Sequence, residues 1–98
     1  MEYNFEWDPA KAVANLRKHG VTFEQAAAVF KDPMAMSQLD DEDSDPGEDR
    51  WVTLGVVAGQ HYLVVAHTYK AQDQKSVTIR VISARRATRH EIRQYEQG

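Results

Sequence analysis

Arg80, Arg85, Arg86, Arg89 and Arg93 crowd the stretch where an apolar strand pattern hands over to the last helical one, in a chain that is acidic overall. A guanidinium keeps its charge, and its planar fork grips a phosphate through two hydrogen bonds, so the cluster suggests a phosphodiester ligand. A solvated helix face tied to nearby acids is the alternative. Metal chemistry has less to recommend it. His61 and His67 fall on one side of a strand but six residues apart, about 20 Å at the strand rise, too far to chelate one ion. The series Asp41-x-Asp43-x-Asp45 has the spacing of a calcium loop, yet Pro46 stands where glycine is needed and Val52 where a chelating glutamate belongs. No metal or other cofactor is expected.

These residues must be positioned by a small protein. A chain of 98 residues is one domain, 1–98, with a core only just sufficient at this size, so a partner would add stability. Its 42% hydrophobic and 28% charged residues are those of an ordinary globular protein, and there is no run of about 18 apolar residues to span a bilayer. The opening Met-Glu-Tyr-Asn-Phe-Glu-Trp has neither the basic nor the apolar region of a secretory signal, and the absence of cysteine excludes disulfides and thiolate metal sites. A cytoplasmic protein is the simplest reading. The net charge of −3 hides a division: residues 40–49 hold seven acids and no base, leaving twelve bases against eight acids elsewhere, or +4. Such a run reads as a solvated loop.

The local signals are well punctuated. Asn4–Trp7 reads as a short strand, and Asp8-Pro9 then caps a helix that Gly20 closes. Val13 and Leu16 form its apolar stripe, while Lys11, Asn15 and Lys18 face elsewhere. Thr22 and Gln25 make a capping box for a second helix, with Phe23, Ala26, Ala27 and Phe30 on one face, ended by Asp32-Pro33. The two helices form a hairpin. Met34–Leu39 is an edge strand, and Arg50–Ala58 and His61–Lys70 are strands joined by a two-residue turn, Gly59-Gln60. In the last strand Val77, Ile79 and Val81 share a face and Arg80 points away from it. A second capping box, Thr88 with Glu91, launches a helix whose Ile92 and Tyr95 pack inward while Arg89 and Arg93 share another face. The pattern is βααβ, three more strands, then α.

Three ordered blocks carry a family resemblance: Phe5-Glu-Trp7-Asp8-Pro-Ala-Lys11 through Asn15, Lys18-His19-Gly20 and Phe23 to Ala26; Glu48-Asp-Arg50-Trp with Leu54-Gly55; and Arg80-Val-Ile-Ser83-Ala-Arg85-Arg86 through Glu91 to Tyr95. The chain resembles the BrnT toxins over Phe5 to Tyr95. The resemblance implies a small RelE-like α+β domain with an N-terminal helical hairpin, an antiparallel β-sheet and a C-terminal helix. It further implies a ribonuclease toxin of a bacterial type II toxin–antitoxin pair, neutralised by a BrnA antitoxin with a ribbon-helix-helix DNA-binding part. Many members of the family carry a histidine before the Glu-x-Arg pair, where this chain has Asp43-Ser44-Asp45-Pro46, so no catalytic role is carried over to that segment.

On that reading a metal-free ribonuclease needs a base for the 2′-hydroxyl proton, cations for the phosphorane charge and an acid for the departing 5′-oxygen. Arg80 and Arg85 are the candidates for phosphate stabilisation. Glu48 or His19 would act as base or acid, and Lys18 or Arg50 would lower a neighbour's pKa or bind the adjacent phosphate. Arg86, Arg89 and Arg93 suit RNA backbone or partner contacts. The competing reading is a catalytically inactive binding module that pairs with a DNA-binding antitoxin or co-repressor, since Tyr62, Val64 and Ala66 alternating with Leu63 and Val65 offer apolar surface on both sides of one strand. Operator DNA would be reached only through the antitoxin, because the chain lacks a basic recognition helix.

Overall fold

In the computed structural model, which describes residues 2–40, 42, 44 and 46–98, the elements run β1 (Glu2–Glu6), α1 (Pro9–His19), α2 (Phe23–Ala28), β2 (Met36–Leu39), β3 (Arg50–Val57), β4 (His61–Ala71), β5 (Ser76–Arg86) and α3 (Arg89–Gln97). The order is the expected one, with β1 starting and ending earlier than Asn4–Trp7. The sheet order is β1-β5-β4-β3-β2. β2 to β5 pair antiparallel, whereas β1 lies parallel to β5, with Glu6 beside Arg80. A short turn forces antiparallel pairing only on consecutive strands, and β1 meets β5 after the rest of the sheet has intervened.

Local chemistry starts and stops each helix. Asp8 accepts from the Ala10 N–H at 2.8 Å, and Gly20 closes α1 at φ 70. Both capping boxes are formed, Thr22 with Gln25 and Thr88 with Glu91. After α2 a 3-10 turn, Val29–Lys31, carries the chain toward β2 at the opposite edge. Val21, Phe23, Ala26 and Val29 pack on Leu63, Val65, Val81 and Ala84, with Phe5 and Trp7 at the margin.

The inward face of α1 differs from the expected stripe. Val13 and Leu16 are 53% and 49% exposed, while Asn15, expected to face elsewhere, is only 6% exposed. β1 pairs with β5 no further than Arg80, which leaves the β5 backbone beyond it without a strand neighbour on that edge. Asn15 supplies one: its Oδ1 accepts from the Ala84 N–H at 3.0 Å, and its Nδ2 donates to the carbonyls of Ala84 at 2.9 Å and Val21 at 3.0 Å. Satisfying buried backbone outweighs burying two aliphatic side chains here.

The other edge has the same device. β2 reaches along β3 only to Leu54, and the Val56 N–H beyond it donates to Asp32 Oδ2 at 2.9 Å. Tyr95 donates its hydroxyl to the same oxygen at 2.6 Å, and the Met34 N–H donates to Oδ1 at 2.9 Å. Burial pushes this carboxyl up, but the three bonds together hold it below the ordinary carboxylate value. Gly55 permits the approach, because a Cβ there would lie 2.8 Å from Val29 Cγ1 and 3.3 Å from Asp32 Oδ2.

Two further expectations are revised. The β3–β4 connection has three residues, Ala58–Gln60, since Val57 pairs with His61; Ala58 and Gly59 take φ 55 and 73, so an alanine as well as a glycine accepts the left-handed twist. The surplus apolar surface of β4 is also covered, for Leu63 to Thr68 are all buried, with α2 packed on that strand. The exposed large apolar side chains stand outside that stretch and include Tyr3, Met34, Met36 and, further along β4, Tyr69. Of the acidic segment, Asp41, Asp43 and Asp45, which carry the calcium-like spacing, lie outside the described residues. Its base is closed by Ser44, whose Oγ donates to the Asp40 carbonyl at 2.7 Å and accepts from the Arg50 N–H at 2.8 Å.

Candidate functional site

Strict alternation would put Arg80 and Arg85, five residues apart, on opposite faces of β5. A bulge prevents this. Val81 pairs with His67 and Ser83 with Ala66, leaving Ile82 without a partner, so the side-chain parity of the strand reverses after Val81. Val81 and Ala84 both enter the helix-side core, and Arg80, Ser83 and Arg85 all emerge on the α3 side. The ladder registers extend this face across the sheet. Arg50, Thr68 and Arg80 stand abreast on β3, β4 and β5, and the next row is Val52, Ala66 and Ser83. Arg50 and Arg80 are therefore about 10 Å apart at the backbone, two strand spacings. Between the guanidiniums the floor is made of small side chains.

Each arginine has its own carboxylate. Arg80 donates to Glu48 from the loop before β3, and the two side chains are 47% and 45% exposed. Both line a concavity of about 790 Å³ with Glu6, Asp49, Thr68, Lys70 and Thr78 among its walls. Arg50 has its Nε 3.8 Å from Asp40 Oδ2, and that buried Nε makes no hydrogen bond among the described residues. Arg85 makes a fork-to-fork pair with Glu91, Nη1 to Oε1 at 2.8 Å and Nη2 to Oε2 at 2.9 Å. Glu91 also accepts from the Thr88 N–H as part of the α3 cap. The Arg85 hydrogen bonds, chiefly, hold the Glu91 carboxyl down at about 2 against the opposing effect of burial, and the same pair raises Arg85. A smaller concavity of about 160 Å³ joins His19, Arg50, Ser83 and Arg85 over Ala66 and Val52.

The structure thus divides the expected residues. Glu48 meets Arg80 directly, and His19, Arg50 and Arg85 meet around Ser83, while Lys18 is exposed in the last turn of α1. Arg86, Arg89 and Arg93 are exposed at the end of β5 and along α3. Tyr95 packs edge-on against Tyr62 at 5.5 Å and is held by Asp32, away from the arginines. His67 is spent internally: Nε2 shares a 2.7 Å bond with Thr53 Oγ1 and the ring lies against Phe30. Among the described residues no three His, Cys, Asp or Glu side chains group in a way that would hold a metal ion. Thr68 and Ser83, not among the expected site residues, complete the polar floor; alternation along β4 marks Thr68, but nothing local marks the bulge that turns Ser83 outward.

An arginine-lined sheet face with a nearby imidazole and carboxylate suits binding and cleavage of a phosphodiester. The family model described as "Ribonuclease toxin, BrnT, of type II toxin-antitoxin system" matches residues 7–91. The chain belongs to the BrnT family. The crystal structure of the Brucella abortus ribonuclease toxin BrnT superposes with a TM-score of 0.60 at 20% identity, covering 91% of this chain and all of that one, so the two share a fold. Among curated proteins none matches. The BrnT match takes in His19, Glu48, Arg50, Arg80 and Arg85, and Arg93 falls just beyond it. As a member of a type II toxin–antitoxin family, this BrnT chain has an antitoxin as its counterpart. None of its described helices is long and apolar enough to cross a membrane.

Proposed function

We propose that this BrnT-family chain is a cytoplasmic, metal-independent endoribonuclease that cuts RNA, arrests translation and growth, and is neutralised by a BrnA-type ribbon-helix-helix antitoxin that carries the pair to operator DNA. The observation that carries the reading is the β5 bulge, which gathers Arg80, Ser83 and Arg85 with Arg50 on one face. Arg80 and Arg50 stabilise the phosphate under attack from either side of Thr68. Arg85, two ladder rows or about 13 Å further on, stabilises the growing charge from the α3 side or holds the next phosphate. His19, beside Arg85 and Arg50, suits the proton-transfer role, with Glu48 as the other candidate for base or acid. Lys18 supplies positive potential from the neighbouring helix turn, and Arg86, Arg89 and Arg93 hold flanking backbone.

The test is incubation of purified protein, free of antitoxin and in EDTA, with total RNA, beside Arg80→Ala. Loss of intact RNA with the wild type alone, by at least about 100-fold in rate, is the expected result. Equal cleavage by both, or cleavage only after magnesium is restored, would overturn it. A second reading, a module that binds an antitoxin or co-repressor without cutting RNA, draws support from the apolar concavity of about 350 Å³ lined by Tyr3, Phe30, Trp51 and Tyr69 on the opposite face. Intact RNA in both samples, with the protein folded, would favour it.

A further inference from the structure

We infer that Glu48 is a built-in substitute for phosphate, an internal anion that occupies Arg80 until RNA displaces it. The inference rests on the reading of Arg80 as a phosphate ligand and assigns that site its own regulation. Its basis is the contrast between two ion pairs on one sheet face. Arg85 and Glu91 are joined by two parallel bonds, and Glu91 is held by its second duty in the α3 cap, so that pair fixes Arg85 from an anchored carboxylate. Arg80 is held by Glu48 through one guanidinium nitrogen, the Glu48 side chain is 45% exposed against 23% for Glu91, and among the described residues no other hydrogen bond anchors the Glu48 carboxylate. The surroundings reinforce the difference. Glu6, Glu48 and Asp49 line the concavity against Lys70 and Arg80, so the most exposed of the three paired arginines lies among more carboxylates than bases.

A carboxylate on a guanidinium has the same fork geometry as two phosphate oxygens, and an exposed pair of this kind is weak. RNA therefore displaces Glu48 at small cost, whereas weaker or scattered anions do not. When the exchange occurs, Glu48 moves off Arg80 and recovers cations from solution as the phosphate loses them. The self-held arginine thus lowers both the affinity and the salt sensitivity of the free protein.

The probe is a fluorescein-labelled 2′-O-methyl RNA dodecamer of mixed sequence, which lacks the 2′-hydroxyl needed for self-cleavage. Its binding to the wild type, Glu48→Gln, Arg80→Ala and the double variant is followed by anisotropy between 50 and 300 mM salt, with each fold checked by circular dichroism. Glu48→Gln is expected to tighten binding about two- to fivefold. It should also steepen the log–log salt slope by roughly 0.7, the value for one additional phosphate contact on a single strand. Neither gain should survive in the double variant. If Glu48→Gln binds no more tightly than wild type while Arg80→Ala binds more weakly, the masking inference is wrong and the Arg80 reading stands. The same gain in the Arg80→Ala background would also overturn it, because Glu48 would then act through the general field. If Arg80→Ala binds like wild type, the reading of Arg80 itself has failed.

Discussion

At the scale of single residues, His67 carries a clear pH signature. Its ring is 3% exposed under Phe30, and burial pushes its pKa down to about 4, against a small upward pull from the Thr68 carbonyl. The unfolded chain takes up this proton near pH 6.5 while the folded chain refuses it until about 4, so stability is greatest above 6.5 and falls as the pH drops between the two values. Unfolding in urea at pH 7 and pH 5 should differ by about 2 kcal/mol from this group. His67→Gln should remove most of the difference; an unchanged slope in that variant would assign the pH effect to other groups. Glu91 works in a lower window, losing its contribution as the pH falls from about 4.5 toward 2. The two effects are separable by choosing pH 5 as the acid point.

Among the elements, the sheet edges govern what the helices may present. Asn15 and Asp32 each stand where an edge strand stops short of its neighbour, and each uses side-chain polar atoms to finish the ladder. Asn15→Ala leaves both backbone groups of Ala84 unpaired in the interior and should cost about 2–4 kcal/mol. Thermal unfolding should fall by roughly 10 °C or more; a shift within 2 °C would mean that water replaces the amide at no cost. This is also where sequence reading reached its limit. Caps, stops and the order of elements were legible because Asp8, Gly20, Thr22 and Thr88 act within a few residues of themselves. Asn15 reads as facing away from the apolar stripe, since its partner is 69 positions away and its need arises from the shortness of β1. The arginine cluster was legible as a cluster. Its common face was not, because the parity of β5 is set by an unpaired Ile82 that only the register with β4 reveals.

For the whole molecule, charge is arranged so that a net −3 chain can still present cations, with seven of its acids confined to residues 40–49. Arg89 and Arg93, exposed on α3, are expected to feel RNA only through its backbone. Replacing both by Gln should flatten the salt slope of RNA binding by roughly 1.4, two contacts at 0.7 each, and weaken affinity without abolishing cleavage. A double variant that binds normally but cannot cut would reverse that division of labour. The parallel pairing of β1 with β5 has a consequence in time. Glu2 and its partner Ser76 lie 74 positions apart, and β5 is also the strand that bears Arg80, Ser83 and Arg85. During synthesis the first strand therefore waits for the last, and a nascent chain interrupted anywhere before β5 has neither a completed sheet nor an arginine face. The strand that carries the arginines is made after nearly everything that supports it.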